Sequence, residues 1–409
     1  MRKYGLVVTG LALILCIVTP LGSVTGAAFA YTVNTTDDDV DVGGCQQAPT
    51  GDCTLREAIT DANGDGDVSN IAFNIPTSSG YNPSTGVWTI QLGTALPALT
   101  EDATAIMGST QTGNQGDTNP YGPEIAVNGA SAYDCFRLTS ASNTVERLAI
   151  NQCTSGILIV GSAAHDNNVC GNYIGLDAQG TAASGNTQFG IYIGYASDNT
   201  IGGSTTNDRN IISANGQEGV DIYGSGADRN LISGNYIGTD ASGLVDVGNL
   251  SSGVNIGGGA QENEIGPNNI IAYNDAHGVS IGGSATKYNT VTQNSIHSNL
   301  WGGILLSGGA NDPILAAYDV GAICDGGGAS SGANLQWEAF SDFDGEGRFF
   351  ESTGGTDTGS FAFWPAGDLF HYPNVTLTVT DASGNTSEFS DPVPSGCLFG
   401  YLPLSMKGY

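Results

Sequence analysis

The apolar positions of this chain recur as one phrase: glycine, apolar, any residue, apolar. It stands at Gly156-Ile-Leu-Ile159, Gly190-Ile-Tyr-Ile193, Gly219-Val-Asp-Ile222, Gly253-Val-Asn-Ile256, Gly278-Val-Ser-Ile281 and Gly303-Ile-Leu-Leu306. Successive glycines are 34, 29, 34, 25 and 25 residues apart. Alternation over four residues is the period of a short strand with one buried face, and its return at this spacing marks stacked coils that share a core with their neighbours. The polar positions are equally regular. The shortest copy reads Asn289-Thr-Val, Asn294-Ser-Ile, Asn299 and then Gly303, while Asn186, Asn215, Asn249, Asn274 and Asn299 each stand four residues before the glycine. An apolar residue two places after an asparagine points inward, and asparagine, which tolerates left-handed backbone and bonds nearby peptide groups, suits a corner. Each coil is therefore predicted to hold three short strands and three corners, with asparagines stacked in ladders at the ~4.8 Å strand spacing.

Strands stacked coil on coil pair in parallel, and parallel crossovers are right-handed. The pattern predicts an all-β protein in which residues 100–309 form a right-handed parallel β-helix. The longer copies differ at one corner, where eleven residues separate Ile174 from Asn186 and Ile237 from Asn249, against two between Ile296 and Asn299. These inserts share the sequence Asn-Tyr-Ile-Gly-x-Asp-Ala-x-Gly, which puts Asp177 and Asp240 on one edge two coils apart, roughly 10 Å, as a side wall.

Outside the periodic region the pattern changes. Arg2 and Lys3, an apolar run from Leu6 to Val18 and Ala28-Phe-Ala30 read as a secretory signal peptide over residues 1–30. Residues 31–99 contain Thr54-Leu-Arg-Glu57, a capping-box spacing, followed by Ala58, Ile59 and Ala62 at helical intervals with Leu55. A short helix here is predicted to cover the open first coil. Residues 310–395 carry alternating aromatic segments such as Gly359-Ser-Phe-Ala-Phe363, read as strands joined by polar turns, and residues 396–409 form a tail.

Two resemblances follow from these segments. Cys53-Thr-Leu-Arg-Glu-Ala-Ile59, with Asp61-Ala-Asn63 and Ile71-Ala-Phe-Asn-Ile-Pro76, resembles the CSLREA motif of secreted bacterial repeat proteins, with Thr54 in place of its serine. It implies a secreted or cell-surface protein with a pectate-lyase-like β-helix, and no catalytic assignment. The stretch Asp381-Ala-Ser-Gly-Asn-Thr-Ser-Glu-Phe389 resembles the immunoglobulin-like β-sandwich that ends many bacterial surface proteins.

Forty acidic residues against ten Lys and Arg give a formal charge of −30, which moves to −32 without the signal peptide. Such a surface repels nucleic acid and leaves few cations for phosphates, so the partner expected is an extracellular glycan or surface protein. Seven cysteines follow the signal peptide, an odd number. Cys45 with Cys53 frames a short loop and is the leading disulfide of an exported chain, and Cys324 with Cys397 is a second candidate. Spacing does not choose a connectivity for Cys135, Cys153 and Cys170.

Phosphate loops, zinc motifs and nucleophile elbows are absent. Ala276-His277-Gly-Val-Ser-Ile281 is similar to a polygalacturonase segment, yet the repeat itself supplies all of it but His277. If the chain is an enzyme, Glu218, Asp221 and His277 are the candidate residues of a polysaccharide lyase or hydrolase on the outer strand face. The first expectation is instead a non-catalytic adhesion or glycan-binding protein, with Tyr192, Tyr195, Tyr223 and Tyr288 as stacking groups or plain exposed strand formers, and Asp177 and Asp240 beside them. Asp61, Asn63, Asp65 and Asp67 match the first half of a calcium loop, although Ala72 replaces the closing glutamate. That stretch reads as the turn after the helix, with an incomplete calcium site as the alternative. No other cofactor is indicated.

Overall fold

Three long sheets carry the periodic segments. The computed structural model describes residues 29–40, 44–47, 52–311, 327–329, 335–342, 347–356, 360–362, 374–389 and 393–394. Residues 1–28 of the expected signal peptide, and the tail, with Cys324 and Cys397, lie outside the described residues, whereas Phe29 and Ala30 at its expected end are already in the first strand. The first sheet has nine strands from Phe29–Val33 to Thr290–Val291, and the second has nine from Tyr81–Asn82 to Ser295–His297. The third has seven, from Phe136–Leu138 to Gly302–Ser307. Apart from the hairpin of Tyr81–Asn82 with Val87–Gln91, each strand pairs in parallel with its counterpart one coil away. The chain is a parallel β-helix, and its stacking begins at Phe29–Val33, well before the glycine phrase.

The core follows from the alternation. Ile157, Ile191, Val220, Val254, Val279 and Ile304 stand in one register row, and none is more than 8% exposed. The glycines ahead of the first five have a steric cause. A Cβ on Gly219 would lie 2.7 Å from the Gly253 carbonyl oxygen and 2.8 Å from Ile237 Cγ2, so the corner closes only where the side chain is missing.

All three corners carry asparagine ladders. In one, Asn172, Asn210, Asn235 and Asn269 each donate both backbone N–H and Nδ2 to the Oδ1 of the next asparagine, ending on Asn294. The expected left-handed backbone falls elsewhere. In the ladder from Asn143 to Asn289 it is the preceding residue that is left-handed, at Ser142, Asp166, Asp198, Arg229, Glu262 and Tyr288, with φ of 56 to 62°. The asparagines are buried and serve through their amides, whose two donors and carbonyl satisfy peptide groups that no strand reaches.

Helix α1 (Leu55–Asp65) starts on the predicted capping box, with Thr54 and Glu57 each bonded to the other's backbone N–H. Leu55, Ala58, Ile59 and Ala62 join Val33, Ile71 and Phe73 in the core. Arg56 is nearly buried; its Nε and NH2 donate to Asp38 at 3.0 and 2.7 Å, and its NH1 and NH2 also reach the Ala95 and Thr94 carbonyls. Cys45–Cys53 is a disulfide as expected, and Cys135 pairs with Cys153 between adjacent turns of chain.

At the other end, the strands Leu335–Asp342, Phe349–Thr356, Asn374–Thr380 and Val393–Pro394 form an antiparallel sheet, beside a two-stranded pair. Its strands and loops seat on the last coil. Val291 N–H donates to Thr386 Oγ1, Gln293 N–H to Glu338, Ile296 N–H to the Gly347 carbonyl and Leu306 N–H to Glu388. The residues read as a separate sandwich thus close the open end of the β-helix.

Candidate binding face

The outward positions of the third sheet run Arg137, Leu158, Tyr192, Asp221, Asn255, Ser280 and Leu305 in register. Asp221 points away from the core yet is only 7% exposed, enclosed between the rows of Tyr192 and Asn255. Asn255 Nδ2 donates to its Oδ1 at 2.7 Å. Burial pushes the carboxyl up to about 6, with nearby Glu218 adding to the rise and the Asn255 bond opposing it.

Tyr192 stands in register beside this carboxyl, and further aromatic rings share the face. Phe189 and Tyr192 have centroids 5.3 Å apart. Tyr192 lies over Gly194 and Tyr195 over Gly224, where an added Cβ would meet either ring at 2.4 Å. Tyr195 and Tyr223 remain 50% and 45% exposed. The Tyr192 phenol is raised by burial first and then by Asp221, Tyr195 and Tyr223, so these four side chains share one electrostatic environment. Three of the four expected tyrosines therefore converge. Tyr288 does not: it occupies a ladder corner and gives its N–H to Asn385 of the C-terminal module.

The possible catalytic trio is not assembled. Gly219 N–H bonds the Ser252 carbonyl and Gly253 N–H the His277 carbonyl, which places Glu218 and His277 two coils apart, roughly 10 Å. Glu218 accepts from Ser251 Oγ at 2.8 Å. His277 packs edge-on against Trp301 at 5.7 Å. Burial lowers its pKa, and the charge that opposes this is Glu388. Trp301, 67% exposed, was not singled out from the sequence. Its signal was an aromatic two residues before the glycine, where other copies hold Gln188, Gln217, Ser251 and Ala276.

The stretch read as a turn, with an incomplete calcium site as the alternative, is mostly helix. α1 extends to Asp65, so Asp61 and Asn63 are helix residues with separate partners. Asp61 accepts from Cys45 N–H, Asn63 bonds Ala98 and Thr100, and Asp65 accepts from Tyr31, Ser69 and the Asp67 N–H. Among the described residues no group of three His, Cys, Asp or Glu is placed to hold a metal ion.

Asp177 and Asp240 turn inward to their own loops. Asp177 accepts from the N–H groups of Thr181 and Ala182. Asp240 accepts from Ser242, Leu244 and Val245. Burial alone would raise the Asp240 carboxyl, and these bonds outweigh it and hold it below the ordinary range. The two inserts do touch, through Ala241 N–H to the Gly180 carbonyl at 2.9 Å.

Fold and face together define a capped parallel β-helix with an aromatic terrace around one buried carboxyl. No family model matches the chain, and no curated protein matches it. No helix among the described residues is long and apolar enough to cross a membrane.

Proposed function

We propose that this is a secreted or cell-surface β-helix protein that binds a glycan, without turning it over, on the outer face of its third sheet. The observation that carries the reading is the terrace of Tyr192, Tyr195 and Tyr223 beside Asp221. Rings held open over glycines offer rigid apolar area for sugar faces, and tyrosine adds a hydroxyl at the edge. The CSLREA-like segment and the apolar N-terminal run support export.

One observation favours a second reading, a polysaccharide-active enzyme: Asp221, with a pKa of about 6, suits a general acid with Glu218 as its partner carboxylate. A glycan array, followed by titration of the best ligand, tests the first reading. Tyr195→Ala with Tyr223→Ala is expected to weaken binding about 10-fold or more, while Glu218→Ala, Asp221→Ala and His277→Ala together leave it within a few fold. Unchanged binding in the tyrosine variant removes the terrace from the account. Depolymerisation of pectin or alginate that disappears in the triple variant establishes the enzyme instead.

A further inference from the structure

A cavity of about 260 Å³ opens at the corner between the first and second sheets, lined among others by Ser109, Asn119, Glu124, Arg147, Tyr173 and Arg209. The chain has ten Lys and Arg in 409 residues, and two of them line this one cavity. Arg56 and Arg229 are held in ion pairs; Arg147 and Arg209 form none with the described residues. Arg209 gives Nε to the Gly234 carbonyl, and its guanidinium lies 4.0 Å from the Tyr236 ring centroid, which fixes its plane and leaves its terminal N–H groups to donate. Arg147 sits in left-handed backbone, φ 53°, at a corner where Gly171 and Gly234 serve in other coils. A bulky residue there is strained. Gly171 between the two arginines makes room, since a Cβ on it would come within 3.0 Å of Arg147 Cγ.

The carboxylates nearby are occupied differently. Glu124 accepts from Thr112 Oγ1 and Thr118 N–H, and Glu146 from the Ser109 hydroxyl; Asp117 at the rim is exposed. Tyr173 donates to the Tyr121 carbonyl at 2.6 Å, and burial keeps its phenol neutral against the pull of both arginines. Asn119 spends Nδ2 on the Pro123 and Ala178 carbonyls, and its buried Oδ1 has no donor. The Ala178 bond also shows what one corner insert does: it closes the cavity wall. The cavity therefore has guanidinium donors in surplus, an unmet acceptor, and a volume just under the ~300–1,000 Å³ of ordinary small-molecule sites.

We propose that this cavity binds a single acidic sugar residue, its carboxylate on Arg147 and Arg209 and its hydroxyls toward Asn119 and Tyr173. Guanidinium matches a carboxylate in plane and charge. The chain's net negative charge does not forbid this, because repulsion from exposed groups is screened beyond ~8 Å at ~0.15 M salt. The site is on different sheets from the tyrosine terrace, and neither reading rests on the other.

Calorimetric titration of the full chain at ~0.15 M salt tests it with three probes: glucuronic acid, glucose as the neutral ring, and inorganic phosphate as an anion without a ring. Glucuronic acid is expected to bind and the other two to bind at least about 10-fold more weakly. Arg209→Gln and Arg147→Gly, the latter suited to left-handed backbone, should each weaken glucuronic acid about 10-fold while still melting cooperatively as folded proteins. Lys287→Gln, which removes a positive charge outside both the cavity and the tyrosine terrace, should not. Equal affinity for phosphate, no glucuronic acid binding, or wild-type binding by both cavity variants would each overturn the proposal.

Discussion

At the residue scale, Asp221 shows how an outward position becomes chemically unusual. Neighbours on adjacent coils enclose it, so its folded pKa of about 6 stands above the ordinary 3.8. The stability this contributes is fully present below the unfolded value and is lost as pH rises through about 6. At neutral pH the folded state is then about 3 kcal/mol less stable, relative to the unfolded chain, than at low pH. Asp221→Asn keeps an acceptor for Asn255 and cannot ionise. It is expected to melt several degrees above the wild type at about pH 8, with the difference vanishing near pH 4. An offset that is equal at both pH values would show that the carboxyl is not buried as described. Nothing in the phrase Gly-Val-Asp-Ile distinguishes this position from Asn255 or Ser280, because the enclosure comes from Tyr192 a coil earlier.

At the scale of elements, helix α1 turns the motif Cys53-Thr-Leu-Arg-Glu into separate physical tasks. Thr54 and Glu57 close the helix start, and Cys53 ties the preceding loop. Arg56 clamps Asp38 and two carbonyls of the 94–95 loop. Thr54→Ala should cost about 1 kcal/mol, the ordinary value of an N-cap. Arg56→Ala leaves Asp38 buried without its partner and should cost about 3–5 kcal/mol. Denaturant titration of both variants checks the order, and a Thr54 effect larger than the Arg56 effect would contradict the clamp. The cap was readable because both its members lie within one turn; Asp38, eighteen residues upstream, meets Arg56 only through the folded path of the chain.

At the scale of the molecule, both ends of the parallel stack are covered. An uncovered parallel edge presents a row of unpaired N–H and carbonyl groups to any other chain. The C-terminal sheet meets that need through Glu338, Gly347, Thr386 and Glu388, and through Phe340 and Phe389, whose rings pack edge-on at 5.3 Å. Ending the chain after Asn311 is therefore expected to yield concentration-dependent oligomers in light scattering, where the full chain gives a smaller, constant mass. A truncated chain with unchanged mass and melting temperature would mean that the sheet is only an appendage.

The periodic sequence by itself determined the parallel β-helix, its inward row from Ile157 to Ile304, the three corners per coil and the start of α1. Each depends on local alternation or on residues a few positions apart, and repetition multiplies the signal. Tertiary structure alone decided which groups from different coils meet: the tyrosines around Asp221, the separation of Glu218 from His277, the dispersal of Asp61, Asn63 and Asp65, and the cavity of Arg147 and Arg209. Those juxtapositions depend on how many residues each corner inserts before the next strand takes its place, and side-chain contact across coils leaves no fixed spacing in the sequence.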